Sequence, residues 1–459
     1  MTGSPNSTPR IVVAGTHSGA GKTTVATGLM AAFAAQGKRV APFKVGPDFI
    51  DPSYHALATG RPGRNLDAFL SREDLIGPLF EHGSRNDDLA VIEGVMGLFD
   101  GRSGTEGFAS TAHVAKLLGA PVLLVVDASA MSRSVAAMVH GYATFDSEVN
   151  VSGVVLNRVG SSRHEAMLRE AIRPLGIPVA GVLRRDRSIE TPDRHLGLVP
   201  VAERKDEARR AVEELGRLVG VSCDLDRIER LARTSGNLDC EAWEPKSNAS
   251  GEAARIAVAT GPAFSFLYEE NLESMRSAGA EISFFDPTTD GSLPEGTDAL
   301  YLGGGFPEAY AEALASNEPM KREVHNFAAS GRPVVAECGG LMYLTNDLDG
   351  REMCRVVDAT TRMAGRLMLG YREAVAVSDS PLLHGGERIN GHEFHYSAVE
   401  HDPNSATAWS FDDGCEEGFV CGPEMNVHAS YLHTHWAATP EVARRFVGSA
   451  LLTRDGVRR

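Results

Sequence analysis

Two sets of residues have types and spacings that can do chemistry. The first is Gly15-Thr16-His17-Ser18-Gly19-Ala20-Gly21-Lys22-Thr23-Thr24. Closely spaced glycines leave bare amide N–H groups to face phosphates, and Lys22 adds a positive charge. The Thr23 hydroxyl can serve Mg²⁺. These residues predict an ATP-phosphate cradle. The second set is Cys338 followed by Gly339-Gly340, the glycine run Gly303-Gly304-Gly305, and the distant His433. A cysteine on a tight turn at a helix start can act as a nucleophile, with a histidine as its base. The positive helix end is expected to lower the thiol pKa. Amides of Gly304, Gly305 and Gly339 could stabilise an oxyanion.

Each set needs particular elements to hold it. Ile11-Val12-Val13-Ala14 before the first loop reads as a buried strand, and Val25 to Phe33 after it reads as a helix. Strand, glycine loop, helix is the context a phosphate loop requires. Further apolar strands are predicted at Arg39–Val45, Leu89–Ile92, Pro121–Val126, Val151–Leu156 and Pro178–Leu183, with helices between them. Such alternation implies a parallel sheet covered on both faces, with ligands at the carboxyl ends of the strands. Asp48, Asp51, Glu93, Asp100, Asp127 and Asn157 stand at or just after those ends. Asp48 and Glu93 could join Thr23 around Mg²⁺. Asp51 and Asp100 could serve a second metal or an acidic substrate pocket, and Asn157 could read adenine. A second alternation runs through Arg255–Ala259, Ile282–Phe285, Ala299–Leu302 and Pro333–Ala336, and Cys338 follows the last of these. The fold class is therefore α/β, in two domains, each with a mainly parallel sheet flanked by helices.

Composition bounds the rest. With 459 residues, 42% of them hydrophobic, the chain can fill two cores. The net charge of −16 argues against a nucleic-acid or anionic-membrane partner. Six scattered cysteines with no CxxC pair suit a reducing cytoplasm. No apolar run approaches the roughly 20 residues that span a bilayer. The expected division is a flexible tail at 1–9, an ATP-binding domain at 10–200, a helical segment and linker at 201–252, and a second domain at 253–459.

The first loop departs from GxxxxGK[ST], because its leading glycine is Gly15 and Thr16 follows. This GTxxxxGKT form resembles the phosphate loop of dethiobiotin synthetase and its relatives, which phosphorylate a carboxylate or carbamate. The Cys338 region resembles triad-type (class I) glutamine amidotransferases, whose pattern is GxCxGxQ with a later HxE. Here the positions hold Ala336, Cys338, Gly340 and Met342, then His433 and His435. The nucleophile and base match. The glutamine and the triad glutamate do not, so the third member stays open.

Together the two halves resemble the a,c-diamide synthases of cobalamin biosynthesis. The most specific stretches are Lys44–Pro52, Glu93–Gly101, Glu337–Gly340, Gly391–Ser397 and Tyr431–His433. The resemblance implies a ligase that uses L-glutamine and MgATP on hydrogenobyrinic or cobyrinic acid. Cys338 and His433 would release ammonia, Thr23, Asp48 and Glu93 would hold Mg²⁺, and Asp51 and Asp100 would act around an acyl phosphate. Ammonia would pass from one domain to the other. The run Ser110–Pro121 tilts the reading to hydrogenobyrinic acid. A homodimer is compatible with the resemblance. Gly391–Ser397 could touch the corrinoid through His395 and Tyr396, or lie as a polar strand in the second sheet. Rival readings are a synthase acting on another tetrapyrrole, such as nickel sirohydrochlorin, and a non-enzymatic partitioning-type ATPase.

Overall fold

In the computed structural model the described residues are 7–185, 193–194, 197–198, 205–246, 253–401 and 406–457. Residues 1–6 of the expected tail, the 200/201 boundary and residues 247–252 of the expected linker lie outside them. The chain divides into two units, Met1–Glu244 and Pro245–Arg459.

The first unit is built on β1 (Arg10–Gly15), buried along its whole length. Fully burying one Ile or Val side chain stabilises by about 1.5–3 kcal/mol, so this run is driven inside. The other strands are β2 (Val40–Val45), β3 (Arg64–Leu66), β4 (Leu89–Glu93), β5 (Val122–Asp127), β6 (Val151–Val159) and β7 (Val179–Arg184). They form a seven-stranded sheet in the order β3-β2-β4-β1-β5-β6-β7. Each ladder is parallel. β1 lies between β4 and β5, so the loop after it opens where successive connections part to either side, the usual ligand crevice. The short pair β8 (Asp193–Arg194) and β9 (Gly197–Leu198) follows. The helices Lys205–Ser222 and Leu225–Ala232 pack back onto this unit. At Gly28, inside the helix Lys22–Ala35, a Cβ would meet Val219 Cγ2 at 2.3 Å and Leu215 O at 2.8 Å. Glycine there lets the two helices touch.

The second unit starts with β10 (Ala254–Ala259), β11 (Ala280–Phe285), β12 (Ala299–Leu302) and β13 (Val334–Glu337). Then come β14 (Asp347–Leu348), β15 (Arg351–Glu352), β16 (Ala359–Ala376), β17 (Arg388–His401), β18 (Thr407–Phe411), β19 (Glu416–Cys421), β20 (Val427–Ser430) and β21 (His433–Thr434). The run β11-β10-β12-β13-β20 is parallel. Beyond β20 the sheet continues antiparallel through β19, β18 and β16. β17 pairs with both β16 and β21. This antiparallel half goes beyond the parallel alternation that the sequence predicts. Two apolar layers sandwich the parallel strands, one around Leu302, Ala336 and Leu341 and the other around Tyr301, Val335 and Trp436.

Candidate active sites

In the first unit the loop after β1 turns on Gly19 (φ 81°) and Gly21 (φ 102°), a backbone region open chiefly to glycine. Gly21 caps the helix Lys22–Ala35, and Lys22 and Thr23 occupy its first turn. The Lys22 ammonium donates to His17 O at 3.3 Å, curling back over the loop. Burial, reinforced by Lys44, lowers its pKa. Leu98 N donates to Gly15 O and Thr16 N to Val125 O, which fixes the loop against its neighbours. The Tyr142 hydroxyl donates to Thr16 O.

A buried charge cluster lies beside this loop. Glu93, wholly buried at the end of β4, accepts from Thr23 Oγ1 at 2.6 Å and from Lys44 Nζ at 3.2 Å. Its other oxygen lies 2.6 Å from His55 Nε2. Lys44 Nζ also reaches Asp51 Oδ2 at 2.8 Å and donates to Gly94 O at 3.0 Å. Burial works against the charge of Glu93, but Lys44 and the hydrogen bonds from His55 and Thr23 outweigh it and hold the carboxyl pKa well down. Asp51 goes the other way, because burial and the nearby Glu93 charge exceed what Lys44 returns. Lys44 is itself pushed up, since Asp51 and Glu93 overcome its desolvation.

The expected Mg²⁺ donors are all oxygens, as a hard cation requires. Thr23 points its hydroxyl at Glu93, and the partly buried Asp48 caps Ile50 N at 2.8 Å. Of the three expected donors, Glu93 is already engaged by Thr23, Lys44 and His55, while the Asp48 carboxylate accepts from a backbone amide. Asp100 is exposed and accepts from Gly97 N at 2.9 Å, closing the Glu93–Gly101 loop. Asn157 does not present its amide outward. Nδ2 donates to Ala20 O at 2.9 Å, and a Cβ on Gly21 would stand 2.1 Å from that nitrogen. This geometry makes Asn157 a brace for the loop.

In the second unit Cys338 directly follows β13 and caps the helix Gly339–Leu344 with φ 48° and ψ −98°. A non-glycine residue there is strained, a feature that clusters at functional sites. Small neighbours permit it, since a Cβ on Gly340 would lie 2.2 Å from Leu302 O. The expectation of a lowered thiol pKa is corrected. Cys338 is 3% exposed, and burial, with Glu308 adding, pushes the thiol up, while the Gly339 amide opposes only in part. In this geometry the sulfur is a neutral thiol that needs a base.

His433 is 1% exposed, and its Nδ1 lies 3.8 Å from Glu337 Oε2. Gly304 packs against its ring, since a Cβ there would meet His433 Cε1 at 2.4 Å. The Gly304 amide already donates to Phe266 O at 3.2 Å, so its place here is packing rather than oxyanion binding. Gly305 and Gly339 stay side by side, a Cβ on Gly339 lying 3.0 Å from Gly305 N. The stretch Gly391–Ser397 lies within β17, whose His392 pairs with His433, and Phe394 O is 3.9 Å from Cys338 Sγ. It is a polar strand of this sheet that lines the thiol.

Comparison with known proteins places this geometry. Residues 11–199 match the CobQ/CobB/MinD/ParA nucleotide binding domain, and residues 255–441 match the CobB/CobQ-like glutamine amidotransferase domain. The hydrogenobyrinate a,c-diamide synthase of Streptomyces coelicolor is 54% identical, covering 97% of this chain and 98% of that protein. The chain belongs to the hydrogenobyrinate a,c-diamide synthase family. The hydrogenobyrinate a,c-diamide synthase of Mycobacterium tuberculosis H37Rv is 50% identical over 96% of this chain and 97% of that protein. The cobyrinate a,c-diamide synthase of a Synechococcus is 42% identical over 95% and 97%.

Two residues in this family member's first site escape a reading of strand ends. Lys44 is a lone cation inside an apolar strand, a costly placement that itself signals a partner. His55 follows Asp51 by four residues on the helix Ile50–Thr59, so both sit on the face turned to Glu93. Among the described residues all six cysteines are free, and no helix is long and apolar enough to cross a membrane.

Proposed function

We propose that this chain converts the a and c side-chain carboxylates of hydrogenobyrinic acid into amides, using ATP and the side-chain nitrogen of glutamine. The observation that carries the reading is the pairing of a phosphate loop with a cysteine elbow in one chain. A carboxylate does not yield to ammonia unless its oxygen is first made a leaving group, and each site supplies one half of that need.

Cys338 Sγ adds to the glutamine amide carbon while His433 takes the thiol proton. The proton passes to the departing nitrogen, leaving ammonia and a thioester that water hydrolyses to glutamate. In the other unit the substrate carboxylate attacks the γ-phosphorus of ATP, giving an acyl phosphate and ADP. Ammonia then adds to the acyl carbon and phosphate departs. The loop amides and Lys22 hold the phosphates. Thr23 and Asp48 would hold Mg²⁺, which when bound neutralises phosphate charge. Lys44 offers a buried cation beside Asp51 for the reacting carboxylate. Relatives named for hydrogenobyrinate are 48–54% identical to this chain, and those named for cobyrinate 41–44%, which favours the cobalt-free ring. The six free cysteines support a reducing, cytoplasmic setting.

The test is mass spectrometry of the product from an equal mixture of hydrogenobyrinic and cobyrinic acids with MgATP and glutamine. Two amides gained on the cobalt-free acid are expected. Cys338→Ala should lose the glutamine-driven product and keep the ammonia-driven one, and Lys22→Ala should lose both. A wild-type chain that amidates neither acid refutes the reading.

A further inference from the structure

His435 occupies the position where a triad-type amidotransferase carries its glutamate, but it is turned elsewhere. Its Nε2 lies 3.4 Å from Glu270 Oε2, its ring stands 5.0 Å from that of Tyr268, and Ala437 N donates to its Nδ1 at 3.4 Å. We propose that Glu337, the residue immediately before the nucleophile, is the positioning residue for His433 and supplies the fixed negative charge that its imidazolium requires. This deepens the proposed glutamine hydrolysis and rests on it.

The geometry divides the work of the Glu337 carboxylate. Oε1 is an anchor, accepting from Thr434 N at 3.3 Å and from Thr434 Oγ1 at 2.8 Å. Thr434 is held in turn: Trp436 Nε1 donates to its hydroxyl at 2.9 Å and Asn271 Nδ2 to its carbonyl at 2.8 Å. Asn271 Oδ1 accepts from Trp436 N at 2.8 Å, which closes the frame. The buried Tyr301 phenol also interacts with this carboxylate, and Oε2 lies 3.8 Å from His433 Nδ1. That is longer than a hydrogen bond, and ligand-free catalytic contacts commonly tighten once charge develops.

Topology fixes the pairing. β13 and β20 run in register with Glu337 opposite Ser430, and the chain then returns within three residues to His433. One strand end therefore carries both the nucleophile and the carboxylate. Both partners are buried, at 4% and 1% exposure, so a proton taken by His433 creates a cation away from water. Such a charge is costly unless paired. On its other side His433 faces His392, across the β17–β21 ladder. Burial first, then His433 itself, holds the His392 pKa down to about 3, so that ring stays neutral and neither opposes nor pairs with an imidazolium on His433.

The experiment compares Glu337→Gln and Glu337→Asp in the full-length chain, following glutamine hydrolysis and ammonia-driven amidation separately. Gln keeps an acceptor for Thr434 and removes the charge. The expected result is a fall of about 10²–10³-fold in kcat for glutamine, with KM within about twofold and ammonia-driven amidation unchanged. Asp should recover to within about tenfold of wild type. If Glu337→Gln does not fold, Thr434→Val, which keeps the charge and loosens its anchor, should lower kcat by about tenfold with KM unchanged. A Gln variant within about threefold of wild type in kcat overturns the proposal. So does an Asp variant as inactive as Gln, or a Thr434→Val variant with unchanged kcat. A wild-type chain that releases no ammonia from glutamine overturns the proposed function instead.

Discussion

Gly304→Ala should disable one half of the proposed reaction and spare the other. The added Cβ would stand 2.4 Å from His433 Cε1 and 3.1 Å from Phe266 Cβ. Ordinary contact begins near 3.4 Å, so one side must give by about 1 Å. The turn is poorly placed to retreat. Gly304 exchanges two backbone hydrogen bonds with Phe266, at 3.0 and 3.2 Å, and Gly340 N donates to Gly303 O at 3.1 Å. The imidazole therefore moves. A misplacement of about 1 Å in a catalytic group costs on the order of 10²-fold, or about 2.7 kcal/mol of barrier. Crowding a packed interior should also lower folding stability by about 1–3 kcal/mol. Ammonia release from glutamine, measured at saturating substrate, should fall about 100-fold. Amidation driven by added ammonium should stay within about twofold, because that chemistry does not use His433. Glutamine hydrolysis within about threefold of wild type would show that the ring is not held by Gly304. Equal loss of both activities would show global damage rather than a displaced base.

Two further perturbations probe the other unit and the supports of the thiol. Gly21→Ala forces a side chain into φ 102° and against Asn157 Nδ2 at 2.1 Å, so it should cost about 1–3 kcal/mol of loop stability and nearly all ATP-dependent turnover. Isothermal titration with ATP checks it, and wild-type affinity would mean that the loop does not shape the site. Glu417 accepts from Ser430 Oγ at 2.6 Å and Tyr431 N at 2.7 Å, and burial pushes its pKa up to about 7. A carboxyl raised above its unfolded value of 4.5 binds more protons in the folded state, so its contribution is complete below about pH 4.5 and is lost as pH rises toward 7. Glu417→Gln should therefore flatten that decline and gain about 1–2 kcal/mol at pH 8, read by urea unfolding across pH 5–8. An unchanged slope would remove Glu417 as its source.

What could be read from the chain follows the strength of the local signal. β1, β4, β5 and β13 are buried apolar runs bounded by glycine or a carboxylate, and the sequence places each within a residue or two. β3, three residues long, has no length over which a pattern could show. β16 alternates weakly and leaves much of both faces partly open, so its 18 residues carry little hydrophobic period. The cysteine elbow was legible because Gly339-Gly340 is a local requirement. The charge state of its thiol was not, because burial is a property of the assembled unit. Lys44, His55 and Glu337 were hidden for a related reason: each gains its role from a partner far along the chain, as when Lys44 meets Glu93.

The two sites use opposite electrostatic strategies, and each suits the chemistry assigned to it. Around the phosphate loop, charges are already present and paired in a buried space. Glu93 is held ionised by Lys44, His55 and Thr23, while Asp51 is the carboxylate that burial and Glu93 discourage from ionising. Around Cys338 the design runs the other way. Burial favours the neutral thiol, and in the proposed reaction charge arises when His433 takes the proton. A neutral buried thiol is a poor target for oxidants and stray electrophiles, because the thiolate is the reactive form. Glutamine must bring its carbonyl to the sulfur before that proton transfer is favourable. This makes the strained φ of Cys338 and the fixed carboxylate of Glu337 parts of one arrangement, in which the nucleophile is aimed in advance and ionised only on use.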